Sequence, residues 1–234
     1  MLNERLRKEI RAHAEFTNKK ECCGLLVRVG EDLIYYPCGN LALRDSEFIM
    51  DPKDAMLAEE AGEIVAVVHS HPYTPPEPTQ PDLVSMEASG LTWVIVNWPT
   101  LEIREYTPVG YSAPLIGRVF SHHILDCFTL IRDYYKQNLD IDIKDYDREE
   151  RWWERGQDIY VQNYEDAGFV RVDEPQKHDV LLMQINSLVP NHAAIFLGDG
   201  TILQHLQGRL SGIYPWGGYW QRSTTHVLRH RSRL

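Results

Sequence analysis

The sequence predicts two domains of different class: an α/β domain with a mixed, curved sheet and flanking helices over 1–107, and an α+β domain over 118–234. Three observations predict it. The 234 residues are too many for one ordinary domain and comfortable for two of roughly 100–130. The stretch Thr107–Arg118 carries two prolines and two glycines that interrupt any periodic pattern, so 108–117 reads as a linker. Element order also changes across it. Strands and helices intermix before it; helical material followed by a run of strands comes after it.

The elements follow in order. Residues 1–17 suit an amphipathic helix, with Leu2, Leu6, Ile10, Ala14 and Phe16 about a turn apart. Short β-type runs come next at Gly24–Val29, Leu33–Pro37 and Glu47–Met50. Asp51-Pro52 opens a helix over Pro52–Ala61, proline being tolerated in a first turn. Glu63–Val68 is a buried strand, Pro81–Ser89 a short helix, and Thr92–Asn97 and Leu101–Tyr106 further strands. Beyond the linker, helices are expected over Cys127–Gln137 and within the charged, Trp-rich segment Asp147–Asp166. Strands are expected at Val180–Ile185, His192–Leu197, Thr201–Leu206 and Thr225–His230. Gly198-Asp199-Gly200 suits a hairpin turn, and Val227–His230 suits an edge strand.

Composition narrows the function classes. The formal charge is −10 and the pI about 5.4, which argues against an extended nucleic-acid surface. The Arg-rich tail from Arg222 suits an acidic partner. Cys22, Cys23, Cys38 and Cys127 form no Cys-x-x-Cys pair, so reduced thiols are expected rather than a disulfide frame or a four-sulfur metal site. The first residues lack the apolar stretch of a signal peptide, and no apolar run reaches the ~18–20 residues of a membrane span.

The most informative stretch is Val65–Pro72, an apolar run ending in His69-Ser70-His71-Pro72. Residues i and i+2 of a strand share a face, so both imidazoles can reach one ion. Asp82, past a loop bearing Pro72, Pro75, Pro76, Pro78 and Pro81, can supply a third, oxygen ligand. Two His, one carboxylate and an open position describe a catalytic zinc site. Alone, Thr79-x-x-Asp82 also reads as a capping box. With Glu21 upstream in Glu21-Cys22-Cys23-Gly24-Leu25-Leu26, the order Glu…His-x-His-Pro…Thr-x-x-Asp resembles the JAMM motif of the JAB/MPN metalloproteases. The resemblance implies that His69, His71 and Asp82 hold Zn2+ and that Glu21 acts through the water as general base and acid. It also implies peptide or isopeptide hydrolysis. Thr79 stands where the motif usually has serine.

A second constellation lies beyond the linker. Cys127 follows Asp126 at the start of a helix, where the N-terminus favours a thiolate. His192 opens an apolar strand, and His205 follows on the next one. Nucleophile, base and orienter from one helix and two paired strands are the parts of a triad. The pattern resembles the NlpC-type cysteine peptidases of the papain-like superfamily, which cleave peptidoglycan stem peptides. It implies Cys127 as nucleophile, His192 as base and His205 as the residue that orients it; Phe128 and Thr129 depart from the small residues that often follow that cysteine. His122, His123 and His178 are expected outside the catalytic set, and Trp152 and Trp153 are expected to pack rather than to stack on sugars.

The pairing of both domains in one small chain resembles tail-tip proteins of lambda-like phages, with Ile202–Ser211 similar to their third-histidine segment. It implies a virion tail-tip location after assembly in the host cytoplasm, with other tail-tip proteins and peptidoglycan peptides as partners. Three function classes follow: a bifunctional peptidase, a structural tail-tip component with inactive sites, and an isopeptidase of a ubiquitin-like tag.

Overall fold

In the computed structural model, residues 2–234 are described. They form two compact units, the first ending at Ser112 and the second running Ala113–Leu234.

The first unit is built on a five-stranded mixed sheet. Its elements are α1 (Glu4–Thr17), β1 (Cys23–Val29), β2 (Asp32–Cys38), α2 (Pro52–Ala61), β3 (Glu63–Pro72), α3 (Gln80–Ser89), β4 (Thr92–Trp98) and β5 (Ile103–Tyr106). The strand order is β2-β1-β3-β4-β5. Only β3 and β4 run parallel, and α3 supplies the crossover that parallel neighbours need. Asn3 caps α1 by accepting from the Leu6 N–H, and Leu6, Ile10 and Ala14 bury one stripe against Cys22, Leu26, Ala66, Val68, Val94 and Val96. Phe16 is 85 % exposed instead of joining that stripe. Two residues past Ala14 is about 200° around the helix, the opposite side. The other sheet face packs Cys23, Leu25, Val67 and Trp93 against Ala58 of α2 and Met86 of α3.

Glu47–Met50 is not a strand; its ladder contact is a single bridge, Asn40 to Met50. Asn40 holds this loop instead. Its amide donates to the carbonyls of Glu21 and Glu47, and its oxygen accepts from the N–H groups of Ala42 and Ile49. A satisfied side-chain network replaces a strand ladder here.

The second unit has a six-stranded antiparallel sheet of order β10-β9-β8-β7-β11-β6. The strands are β6 (Phe169–Val172), β7 (Val180–Met183), β8 (His192–Phe196), β9 (Thr201–Gln204), β10 (Gly212–Pro215) and β11 (Thr224–His230). Helix α4 (Cys127–Leu139) packs Leu130, Ile131, Tyr134 and Tyr135 onto one sheet face, with Ala193, Ile195 and Leu203. Trp216 and Trp220 pack the other face, with α6 (Tyr219–Ser223). The β8–β9 turn uses Gly198 and Gly200 at φ 92° and 78°, where a Cβ would be strained.

In the second unit, sequence reading and structure part at three places. The segment 147–166 is mostly irregular, with one 3-10 turn over Trp152–Arg155 and the short helix α5 (Ile159–Asn163). Trp152 is buried in the core. The strands β6 and β10 and the helix α6 carry no marked periodicity. The Thr224–His230 strand lies between β7 and β6, so it is not an edge; β6 caps it, and Arg229 is drawn in to a two-pronged pair with Asp179 at 2.7 and 3.0 Å.

Two candidate catalytic centres

Pairing register positions the first centre. Cys23 lies opposite His69, and the Ser70 N–H bonds the Cys22 carbonyl, so the chain just before Cys22 stands level with His71. That is where Glu21 falls. Strand alternation puts His69 and His71 on the face covered by α3, which carries Asp82, and turns Ser70 to the other. Ser70 Oγ accepts from the Cys22 N–H at 2.7 Å, a structural pin between the two strands.

His69 Nε2 and His71 Nε2 are 3.0 Å apart. Asp82 Oδ1 lies 3.5 Å from the former and Oδ2 3.3 Å from the latter. The three ligand atoms all fall within 4.8 Å of one another. Zinc–nitrogen bonds of ~2.0–2.1 Å fit such a triangle. The chemistry of the donors fits as well. His71 Nδ1 donates to the Pro75 carbonyl at 2.9 Å, so the Nε2 lone pair faces the cluster. Asp82 Oδ2 accepts from both the N–H and the hydroxyl of Thr79 at 2.7 Å. The capping box and the ligand cluster are therefore one structure, and the Thr79 hydroxyl is spent on Asp82. Phe48 stacks on His69 with ring centroids 4.9 Å apart, and Trp93 meets its edge at 5.3 Å. The proline loop holds His71 by Pro75 and is pinned in turn by Tyr106 to the Pro76 carbonyl.

Burial pushes the Glu21 carboxyl up to about 8, the charges of Asp82 and Glu47 add to this, and His71 opposes it. Burial lowers His69. Burial also works against ionising Asp82, yet hydrogen bonds from His69, His71 and Thr79 hold it well below the usual carboxylate range. At His71 burial lowers, but the hydrogen bonds to Asp82 and the Pro75 carbonyl, with the charges of Asp82 and Glu21, outweigh it and raise the imidazole.

The second centre is a cleft lined by Cys127, His192 and His205 together with Asp126, Arg148, Trp153 and Tyr160. Asp126 caps α4 by accepting from the N–H groups of Phe128 and Thr129, and Thr129 answers in a reciprocal box. Phe128 and Thr129, unusual after such a cysteine, thus serve the core and the cap. Arg148 is buried, faces Asp126 at 3.4 Å, and lies 4.3 Å over the Phe128 ring. Cys127 Sγ lies 3.3 Å from the Tyr160 hydroxyl. Burial pushes this thiol up to about 11, with the Asp126 charge adding and the contacts of Tyr160 and the Ala193 N–H opposing.

His192 Nε2 lies 2.9 Å from Gln204 Oε1. Burial lowers its imidazole to about 4. The sequence assigns the orienting role to His205; in the structure Gln204 stands at His192 instead. Strand parity is the reason. Ala194 pairs with Gln204, so Gln204 shares the face of His192, while His205, one residue past β9, lines the same cleft but packs its ring against Phe120. Neither His205 ring nitrogen makes a hydrogen bond among the described residues, although the Arg118 and Arg209 carbonyls lie close by. His122 bonds the Arg148 carbonyl and His178 the Tyr134 hydroxyl. Sequence reasoning missed Asn40, Arg148, Tyr160 and Gln204. Only Gln204 carried a signal, its even spacing from His192 across the hairpin.

These two centres, each on its own sheet, define a two-domain protein of peptidase-related families. Residues 3–108 match the family of prokaryotic homologs of the JAB domain, and residues 116–229 match the NlpC/P60 family. The chain is 36 % identical to tail tip assembly protein K of Escherichia phage N15, over 95 % of this chain and 93 % of that protein. It is 40 % identical to tail tip assembly protein K of Escherichia phage lambda, over 78 % of this chain and 90 % of that one. The chain belongs to the tail tip assembly protein K family.

Proposed function

We propose that this chain is a tail-tip component carrying two hydrolytic centres, a zinc centre in 1–107 and a cysteine centre in 118–234, with 108–117 as the link. It acts on peptide or isopeptide bonds, with peptidoglycan stem peptides as the substrate of the cysteine centre. Other tail-tip proteins are its assembly partners, first in the host cytoplasm and then in the virion. The observation that carries the reading is the meeting of His69, His71 and Asp82 within 4.8 Å, three ligand-bearing side chains from two elements.

Zinc bound there would supply charge stabilisation and a water acidic enough to act near neutral pH. The chain's own residues do the rest. His71, tied to Pro75, and Asp82, tied to Thr79, keep their donor atoms pointed inward. Glu21, raised by burial, is suited to taking a proton at its carboxylate and giving it to a leaving amine. In the second centre Cys127 Sγ is the nucleophile, and His192 takes its proton. Gln204 Oε1 accepts from His192 Nε2–H, which leaves Nδ1 unprotonated as the base.

The test is mass spectrometry of fragments released from purified peptidoglycan. Cys127→Ala abolishes peptide release and Glu21→Gln leaves it standing. If Cys127→Ala keeps full release, the cysteine centre is not the hydrolase. One specific observation favours a second, structural reading: the Cys127 thiol is buried, neutral and hydrogen-bonded. Under that reading Cys127→Ala blocks particle assembly while leaving peptidoglycan untouched.

A further inference from the structure

Tyr160 is the second residue of α5, and nothing in its sequence surroundings marks it as functional. Its ring is held on two sides. It stacks on Phe128 at 6.1 Å between centroids and meets the edge of Trp152 at 5.2 Å, so the hydroxyl has little freedom. Burial raises this phenol well above its ordinary range, and it stays protonated through the working range of the protein. A buried phenol O–H needs a partner. Among the described residues its hydrogen-bond partner is the sulfur of Cys127, 3.3 Å away.

While the sulfur carries a proton, either group can donate. Once the proton has left, the sulfur is only an acceptor and the phenol must be the donor. The contact then changes from a neutral pair to a charge-assisted one, which is roughly twice as strong. An interaction that strengthens as charge develops lowers a barrier, whereas one of constant strength does not.

We propose that Tyr160 is a catalytic residue of the cysteine centre, donating its hydroxyl hydrogen bond to Cys127 Sγ as the thiolate forms. The inference rests on the reading of Cys127 as nucleophile. In the step, the S–H bond breaks and its proton passes to the His192 imidazole. The sulfur lone pair forms the S–C bond to the substrate carbonyl, and the C=O π pair moves to oxygen. On collapse that pair re-forms the C=O bond, the C–N bond breaks, and the leaving amine takes the proton from His192. Tyr160 keeps its own proton throughout. The other groups facing the sulfur explain why a neutral donor matters. Asp126, one residue before it, opposes a thiolate. The Arg148 guanidinium is shared with Asp126 and Asp145. His122, His192 and His205 complete the ring of titratable groups around the cleft.

Tyr160→Phe removes one oxygen and keeps the packing. Alkylation of Cys127 by iodoacetamide, followed by peptide mass spectrometry between about pH 6 and 10, reads thiolate availability without any substrate. A lost charge-assisted bond of roughly 1.5–3 kcal/mol predicts alkylation about tenfold slower or more at every pH, with thermal unfolding nearly unchanged. Tyr160→Gln, which restores a donor without the ring, recovers part of the rate and keeps the question answerable if the Phe variant folds poorly. On peptidoglycan peptides, kcat falls by a similar factor with KM unchanged. Alkylation of Tyr160→Phe at the wild-type rate overturns the proposal. A faster rate overturns it too, since the phenol oxygen would then be holding the proton on sulfur. Failure of the underlying reading looks different: Cys127→Ala retains peptide release while the alkylation result for Tyr160 stands.

Discussion

The two centres of this chain store charge in opposite ways. Around His69, His71 and Asp82 the donors are tied to each other, Asp82 is held ionised and His71 is raised. At Cys127 and His192 the shifts run toward neutrality, the thiol up to about 11 and the imidazole down to about 4, while Asp126 and Arg148 beside them are held charged. Buried polar atoms without a partner among the described residues occur at both centres: His69 Nδ1 at the first, and Arg148 Nε, both His205 nitrogens and the Gln204 amide nitrogen at or beside the second. The difference teaches what each centre is built around. The first is a cluster of one ionised carboxylate and two imidazoles whose ligand atoms lie close enough to hold a metal ion. The second holds its thiol and imidazole neutral beside a buried Arg148–Asp126 ion pair.

Breaking the first cluster has the largest expected effect. Replacing His69 or Asp82 by Ala removes one of three donors, and we expect the ~1 equivalent of zinc bound per chain to be lost. Metal analysis after dialysis checks it; a wild-type protein that purifies metal-free with its fold intact sinks the zinc assignment. In the cleft the corresponding weak point is Asp126. Asp126→Ala strips the α4 cap and leaves the buried Arg148 short of one partner, at a cost of roughly 3–5 kcal/mol by urea denaturation.

Neutral imidazoles in the cleft also predict a pH dependence. His192 and His205 have folded-state values of about 4 against 6.5 for the unfolded chain. Between those values the unfolded state binds more protons, so stability rises with pH. The contribution of these two histidines is therefore fully present above about 6.5, is lost progressively as the pH falls through that window, and falls no further below about 4. His192→Asn should reduce the slope between pH 4 and 6.5; an unchanged slope means that His192 is not buried neutral. The smallest effect separates the two roles of Thr79. Thr79→Ala removes a helix cap worth about 1 kcal/mol and frees one Asp82 oxygen, which lowers zinc affinity about 10–100-fold as outer-shell losses do. Thr79→Ser should change neither.

What could be read from the sequence follows from periodicity and from motif spacing. The helix stripe Leu6, Ile10, Ala14 and the His-x-His at a strand end are local geometry, and local geometry is written in residue order. Phe16 and the Glu47–Met50 run misled because they satisfied composition without satisfying the angle or the ladder. The 147–166 segment misled because its irregular path is held by Arg148, which bonds the Tyr146 carbonyl and pairs with Asp126 and Asp145.

The sequence by itself determined two domains, the element order around each motif, and the residue types of both centres, because strand and helix periods place neighbours without reference to the rest of the chain. Tertiary structure alone decided that Gln204 and not His205 meets His192, that Tyr160 meets Cys127, and that Asn40 anchors the loop beside Glu21. Each of those contacts depends on register or on a long-range approach, and a shift of one residue in a strand exchanges its two faces.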